Sequence, residues 1–420
     1  MTERVAVVGG GVAGITAAHV LQRRFEVTLL EGNDYLGGHT HTIAVPAGPD
    51  AGTPVDTGFI VFNDRTYPLF IRLLGQLGVG WRTTEMSFSL TTRPAGLCWA
   101  GNDLNGLFAQ RRNFLRPSFL RMLVGITRFS REARAALASG AVPPVALGEY
   151  LRAGGYPAGV GRDYVLPMAA AIWSTPAGEV GTFPAEPFLR FFDNHGLLSL
   201  RDRPAWRTVA GGSQAYVDAF RRGFRGRILT STPVRAIRRD GGGVRVRTAD
   251  GAETVYDRVV VAAHADEALA LLADPTDEEA RLLGPWRYHR NRTVLHTDVS
   301  ALPPVRRAWA CWNYERWGSG AERDPVSVTY AMNVLQGLRT REQYCVSLNR
   351  PAPVARERVL GTFDYAHPGY TFASIGTQPG LRALRGANRT HFCGSYHGYG
   401  FHEDAVRSAV EAARGLGLEL

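Results

Sequence analysis

The sequence predicts an α/β fold in which a nucleotide-binding parallel sheet is interrupted by an inserted α+β domain. Three observations predict it. A strand, a glycine turn and a helix follow one another at the start of the chain. A strand, a loop and a helix follow one another at its end. Between them lie two blocks whose composition and periodicity differ from both.

The first unit is Arg4-Val5-Ala6-Val7-Val8-Gly9-Gly10-Gly11-Val12-Ala13-Gly14. A short apolar run with strand character leads into Gly9, Gly11 and Gly14 in the G-x-G-x-x-G spacing, and an Ala-rich helical pattern continues to about Leu21. Glycines at these places permit the turn, let the backbone approach a pyrophosphate and bring helix onto strand, while the helix N-terminus faces the phosphate charge. The next strand, Val27 to Leu30, ends in Glu31, 20 residues beyond Gly11, where a carboxylate can accept hydrogen bonds from ribose hydroxyls. Strand, glycines, helix, strand and acid in that order specify a dinucleotide site. Gly9, Gly11, Val12, Ala13, Gly14 and Glu31 are its candidate contacts.

With 420 residues, 45% of them apolar, the chain can bury two substantial cores. No run approaches about 18 uninterrupted apolar residues, so no membrane-spanning helix is expected. The first apolar run, Val5 to Val8, is committed to the nucleotide turn; no signal peptide and a cytoplasmic location are expected. Cys98, Cys311, Cys345 and Cys393 are widely spaced and offer neither a disulfide framework nor a zinc site. The net charge is +10, and all 48 basic residues are arginines. Such a balance favours an anionic lipid surface or an acidic ligand; without an accompanying motif, no nucleic-acid partner is expected.

After Glu31 comes Gly32-Asn33-Asp34-Tyr35-Leu36-Gly37-Gly38-His39-Thr40-His41-Thr42. An acid followed six residues later by Gly-Gly resembles the FAD-binding signature of the flavoprotein superfamily that includes amine oxidases, phytoene-type desaturases and protoporphyrinogen oxidase. The resemblance implies FAD as cofactor, a Rossmann-like domain of the GR2/amine oxidase type, and contacts from Gly37, Gly38, His39 and Thr40. In that superfamily arginine usually follows the second glycine. His39 stands there instead, so the arginine contact is not carried over. No further ligand accompanies His39 and His41, and no metal is expected.

Val55-Asp56-Thr57-Gly58-Phe59-Ile60-Val61-Phe62-Asn63 resembles the segment that passes beneath the flavin, which implies cofactor contacts at Gly58, Phe59 and Ile60. Tyr67 to Leu77 has the spacing of a core-facing helix. Residues 81–205 are more aromatic and punctuated by proline, and read as helices with little strand alternation. Within them, Arg111 to Leu137 interleaves arginines 111, 112, 116, 121, 128, 131 and 134 with Phe114, Leu115, Phe119, Leu120, Met122, Leu123, Val124, Ile126 and Phe129. Pro117 should start or break a helix there. Such a helix can lie on the inner face of an anionic membrane, or equally form an arginine-coated outer surface. Ala171 to Pro176 and Phe191 to Leu198 suit an apolar tunnel with one polar feature, and His195 is a candidate catalytic or substrate-orienting group, with a structural histidine as the alternative.

Trp206 to Ser213 resembles the Gly-Gly turn placed near the isoalloxazine. Pro233 to Ile237, Gly241-Gly242-Gly243 and Val244 to Thr248 read as a hairpin, and Val234 matches the position whose backbone meets the adenine. Asp257 to His264 reads as a strand with Ala263 at its end, followed by a helix starting at Ala268 to Leu272. Strands are expected at Thr293 to Thr297, Cys311 to Tyr314, Val326 to Met332, Met332 to Gln336 and Val346 to Asn349. Tyr314 is a second candidate for removing or guiding a proton, with a hairpin hydrogen-bonding role as the alternative. Finally, Thr390 to Tyr396 followed by Gly398 to Ala409, with a helix to about Gly415, resembles the superfamily's C-terminal flavin segment. That implies contacts from Gly394, Ser395, Phe401, His402, Glu403 and Ala405.

The expected division is 1–80, 205–285 and 371–420 for the FAD-binding domain, and 81–204 with 286–370 for the substrate domain. Many amine oxidases of this superfamily hold a water at flavin N5 with a lysine, which this chain lacks; that chemistry is disfavoured. Gly-Gly-His-Thr-His, Asp-Thr-Gly-Phe-Ile-Val-Phe-Asn, Met-Asn-Val-Leu-Gln and Tyr-His-Gly-Tyr-Gly-Phe-His-Glu-Asp together resemble a bacterial branch found with cyclopropane-fatty-acid-synthase-like methyltransferases. The branch implies an FAD-dependent oxidoreductase that desaturates a methylated or unsaturated fatty acyl chain, with a lipid methyltransferase as partner. The alternatives are an isoprenoid or carotenoid-type desaturase or isomerase, an amine oxidase, and a non-catalytic FAD-bound partner of a lipid methyltransferase.

Overall fold

The computed structural model describes residues 2–93, 96–199, 203–317 and 327–420. Its nucleotide-side layer is a parallel five-stranded sheet in the order Arg227–Leu229, Glu26–Leu30, Arg4–Val8, Arg258–Val261, Thr390–Phe392. These strands come from the beginning, middle and end of the chain. Val5–Val8, Val27–Leu30 and Val259–Val261 are buried throughout, as a parallel sheet covered on both faces requires, and for that reason they read as continuous apolar runs. On one face the helix Val12–Leu21 packs beside the C-terminal helix His402–Arg414. Ala405, Ala409 and Ala413 recur every fourth residue along the buried side of the latter and let the two helices approach closely.

A three-stranded antiparallel sheet, Val234–Asp240, Gly243–Thr248 and Glu253–Tyr256, flanks this layer. Its first two strands are the expected hairpin. The second large sheet has seven strands in the order Val359–Gly369, Arg287–His296, Cys345–Leu348, Val328–Ala331, Trp312–Trp317, Phe88–Arg93, Cys98–Ala100. All its neighbours are antiparallel except Trp312–Trp317 with Phe88–Arg93. A helical layer that includes Pro117–Ser139, Leu166–Trp173 and Ala185–Asn194 lies beside it. The long helix begins at Pro117, where proline's fixed φ suits the first helical position, and ends at Gly140, whose φ is 67°.

Two sequence expectations fail here. Residues 81–205 contain three strands, Trp81–Thr83, Phe88–Arg93 and Cys98–Ala100. Phe88–Arg93 alternates at Phe88-Ser89-Leu90-Thr91, but both of its faces are covered, and its Ser89 hydroxyl donates inward to Asn313 Oδ1 at 2.8 Å. Met332 to Gln336 is a helical turn, Met332–Leu335, rather than a strand. Asn333 bends the chain there: its Oδ1 accepts from Tyr344 N–H and its Nδ2 donates to Glu342 O, replacing ladder bonds with local ones. Of the expected strand Val326 to Met332, Val326 lies outside the described residues; Val328–Ala331 is a strand.

The antiparallel sheet is held to the helix Asp277–Leu283 by buried Arg239. Its guanidinium makes two bonds of 2.8 Å to the Glu279 carboxylate and one of 2.9 Å to Asp274 Oδ1. Removing one partner of such a cluster leaves a buried charge without compensation. Glu279→Ala is therefore expected to lower the unfolding free energy by about 3–5 kcal/mol, read from urea unfolding at neutral pH.

Candidate functional site

A cavity of 1520 Å³ runs from the glycine turn to the helical layer. At its nucleotide end the wall is Gly9, Gly11, Val12, Ala13, Glu31, Gly37, Gly38, Pro233, Val234 and Ala263. Gly9 has φ 104°, and a Cβ there would lie 2.5 Å from Ala262 O; only glycine makes this turn. Gly11 is the N-cap of the first helix and has no side chain to satisfy the helix's leading amides, which are left for an anion. A Cβ at Gly11 would meet nothing closer than Gly37 O at 4.0 Å, so its open side is room for a ligand rather than for packing. Glu31 anchors the turn: its Oε2 accepts from Gly10 N–H at 2.6 Å and its Oε1 from Asn33 N–H at 2.8 Å. Each oxygen keeps a lone pair for a ribose hydroxyl. An uncapped helix N-terminus, an open glycine and a buried carboxylate at its edge fit a dinucleotide.

Gly14 serves packing instead. It is outside the wall, and a Cβ there would lie 1.8 Å from Gly9 O.

The middle of the cavity is lined by Gly58, Phe59, Ile60, Trp206, Gly394, Ser395, Phe401, His402 and Ala405. His402 stacks on Phe59 with ring centroids 3.5 Å apart, and its Nε2 meets Thr40 Oγ1 at 3.0 Å. Burial lowers its pKa to about 3. Thr40 is thus behind the wall, orienting His402. His39 does line the cavity, with His367, Tyr365 and His264 ringed around it at centroid distances of 5.0, 5.2 and 6.2 Å. Burial first, and then the neighbouring histidines, hold it well below its usual pKa. The position that carries a cation in the resembling superfamily is here a neutral ring.

Glu403 does not face the cavity. Its two carboxylate oxygens accept from the N–H groups of Leu69 and Phe70 at 3.1 and 2.9 Å, capping from across the fold the helix Pro68–Gln76, whose own N-cap Tyr67 makes no side-chain bond. The Gly211-Gly212 turn is also outside the wall. It packs on Thr42 and Pro54, and the next residue, Ser213, donates its N–H and hydroxyl to buried Asp56.

The far part of the cavity is aromatic and aliphatic: Phe88, Trp99, Tyr164, Met168, Ile172, Trp312 and Tyr330, with Leu107, Leu123 and Ile126 from the helical layer. Trp99 and Trp312 were not singled out by sequence, since an indole in a buried strand reads as core. Both indole N–H groups are buried without a partner among the described residues, an arrangement that favours an acceptor on whatever fills the cavity. His195 lines the same space. Its Nδ1 donates to Phe191 O at 2.9 Å, which leaves Nε2 as the lone-pair nitrogen, 3.2 Å from Thr66 Oγ1. The ring stacks on Phe191 at 3.9 Å, and burial lowers its pKa to about 4. Tyr314, the other candidate, is not in the wall. It is buried on the same strand face as Trp312, with its ring 6.5 Å from that of Phe88, yet does not reach the cavity surface.

Residues 12–291 match the family model described as flavin containing amine oxidoreductase. The chain belongs to that family. FAD is accordingly its cofactor, and the cradle described above is where this family member would hold it. A Mycobacterium tuberculosis protein named as a flavin-containing monoamine oxidase is 29% identical over 283 residues, 65% of this chain and 60% of that protein. Polyamine oxidase 5 of Oryza sativa is 43% identical over 76 residues, 17% of this chain and 14% of that protein. Among solved structures, a redesigned putrescine oxidase superposes with a TM-score of 0.71 at 15% identity, covering 99% of both chains. A CLA-producing fatty acid isomerase from P. acnes gives 0.68 at 16% identity over 98% of each. At these identities the superpositions show the shared fold.

Two outcomes test the cradle. Gly11→Ala should fold with an unchanged unfolding midpoint as apoprotein, yet bind FAD more weakly by about tenfold or more, roughly 1.4 kcal/mol, in a fluorescence titration; Gly14→Ala should instead lose stability by about 1–3 kcal/mol. The Glu403 cap predicts a pH effect of definite sign. Burial raises its pKa from 4.5 to about 7, so between those values the folded protein holds a proton that the unfolded chain has released. Its contribution is present at the acid end and lost as pH rises through about 7. Glu403→Gln should flatten that part of the pH dependence of the urea midpoint.

Proposed function

We propose that this family member is an FAD-dependent oxidoreductase acting on a long hydrophobic substrate, most simply desaturating a methylated or unsaturated fatty acyl chain. The observation that carries the reading is the far wall. From Phe88 to Tyr330 it offers a mainly aromatic and aliphatic surface, so affinity there comes from apolar burial, roughly 25 cal/mol per Å². The carboxylate of Asp103 lines the exposed mouth beside Leu104.

Bound FAD supplies a hydride acceptor at N5. The chain's own residues do the rest. Gly11, Val12 and Ala13 would hold the FAD pyrophosphate with backbone amides, and Glu31 its ribose. The aromatic wall positions the acyl chain and excludes water, while the Trp99 and Trp312 N–H groups donate to an oxygen at its polar end. Desaturation removes two hydrogens from adjacent carbons, one as hydride and one as proton. His195 Nε2 receives the proton: the Nδ1 bond to Phe191 O fixes the tautomer, and burial keeps the ring neutral and able to accept. Thr66 can turn its hydroxyl to Asn63 Oδ1, 3.1 Å away, and so release Nε2 for this role.

Anaerobic mixing with bacterial phospholipids should bleach the flavin and yield an acyl chain lighter by two hydrogens. His195→Gln should slow bleaching by about 10²-fold or more with the flavin spectrum intact, and Tyr314→Phe should leave the rate unchanged. Bleaching by amines and by no lipid would overturn the proposal.

A further inference from the structure

The cavity reaches the surface beside the long arginine-bearing helix. Asn102, Asp103, Leu104 and Thr127 belong to its wall and are themselves exposed. Around that mouth, apolar side chains stand in water: Leu104 is 75% exposed, Leu115 86%, Val124 69%, Phe114 51% and Leu120 40%. These are five of the ten large hydrophobic side chains exposed among the described residues, gathered within 21 residues, 104–124. Scattered exposed leucines need no explanation, but a contiguous group around an opening does. Leu120 and Val124 are one turn apart on the outer side of the helix, whereas Leu123 and Ile126 on its inner side line the cavity.

The same surface is predominantly cationic, with Asp103 as an acidic residue at the mouth. No acidic residue occurs from 104 to 131. Arg111, Arg112 and Arg116 bond only to neutral oxygens, of Phe108, Asn105, Gly96 and Asn113. Among the described residues none of Arg111, Arg112, Arg116 and Arg121 forms an ion pair, whereas further along the helix Arg128 pairs with Glu132 and Arg134 with Asp193. Arginines without an ion pair among the described residues occur elsewhere too, as at Arg131 and Arg221, but here four of them stand beside the exposed apolar group. An interface of headgroup phosphates above hydrocarbon complements both features at once.

We propose that the face formed by residues 104–131 docks on an anionic lipid bilayer with the cavity mouth turned toward the membrane. An acyl chain then passes from the bilayer between Leu104, Leu107 and Leu123 without crossing water. Only the identity of what enters rests on the function proposed above; docking itself does not. No helix among the described residues is long and apolar enough to cross a membrane, so the attachment is peripheral.

Flotation of the flavin-loaded protein with phosphatidylglycerol vesicles, compared with phosphatidylcholine vesicles, tests this without reference to turnover. The protein should float with the former and not with the latter. Arg112→Gln with Arg121→Gln should weaken vesicle binding about thirtyfold, taking about 1 kcal/mol for each arginine. Leu115→Ser with Val124→Ser should also weaken it and leave residual binding that added salt abolishes. None of the four side chains lines the cavity, so flavin absorbance and unfolding midpoint should be retained in both variants; the arginine variant carries the test alone if the other fails to fold. No flotation of the wild type, equal flotation on both lipids, or variants that float like the wild type would overturn the proposal. So would light scattering that shows a dimer disrupted by the leucine–valine variant while vesicles remain unbound. If lipids bleach no flavin yet docking holds, the function falls and the surface stands.

Discussion

The whole site depends on how closely the first helix closes on the first strand. At Gly14 that approach leaves 1.8 Å between a notional Cβ and the Gly9 carbonyl oxygen, and at Gly9 only 2.5 Å to Ala262 O. These distances admit no side chain. They fix the direction of the helix axis, and with it the place where the uncapped amides of Gly11, Val12 and Ala13 converge. The C-terminal helix then packs on that first helix through alanines, which brings His402, Ala405 and the Gly394-Ser395 turn to the cavity. Segments nearly 400 residues apart share a wall because two glycines remove the atoms that would hold them apart.

Burial sets the chemistry as firmly as it sets the geometry. His39, His195, His367 and His402 all have lowered pKa values with desolvation as the leading cause. Asp56 is raised to about 6 by the same effect, against the pull of Thr42 and Ser213. The surroundings of the cavity therefore favour uncharged forms of whatever they contain. A ligand that stays neutral loses nothing on entry, and one that is cationic in water must lose its proton or find an anion. Along the part of the wall formed by Phe88, Trp99, Trp312 and Tyr330 this disfavours a cation, whereas Glu31, Asp103, Glu267 and Asp364 supply carboxylates elsewhere in the lining.

Much of this was legible in the residues. The glycine spacing, the acid after the second strand, the hairpin around Gly241 to Gly243, the helix start at Pro117 and the C-terminal strand and helix are each written in local chemistry that tertiary contacts do not override. What could not be read depends on distant partners. Glu403 follows a flavin-like motif, yet it caps a helix 333 residues away by way of the Phe70 N–H; no local pattern announces a cap supplied in trans. Tyr314 alternates correctly for a pocket-facing strand position, but the lining on that face is supplied by Trp312 and by Phe88 of the neighbouring strand. Strand Phe88–Arg93 was hidden because its alternation, Phe88-Ser89-Leu90-Thr91, is short and the polar side is paired inward by Ser89 to Asn313 rather than solvated, and Trp99 and Trp312 were hidden because unpartnered indole nitrogens are a property of the folded wall alone.

The cavity and the exposed arginine-flanked surface have a common origin. A wall as apolar as Leu107, Leu123 and Ile126 must end somewhere, and the helix that supplies two of these residues is amphipathic on one side only: its inner face is covered by the molecule and its outer face carries Leu120 and Val124 among arginines. An apolar lining that continues onto the outer surface is costly in water and gains stability only where water is displaced. Further along the helix the chain pairs Arg128 with Glu132 and Arg134 with Asp193. It leaves Arg112 and Arg121 without acidic partners beside the mouth, where a second phase bearing negative charge would satisfy the arginines and the leucines together.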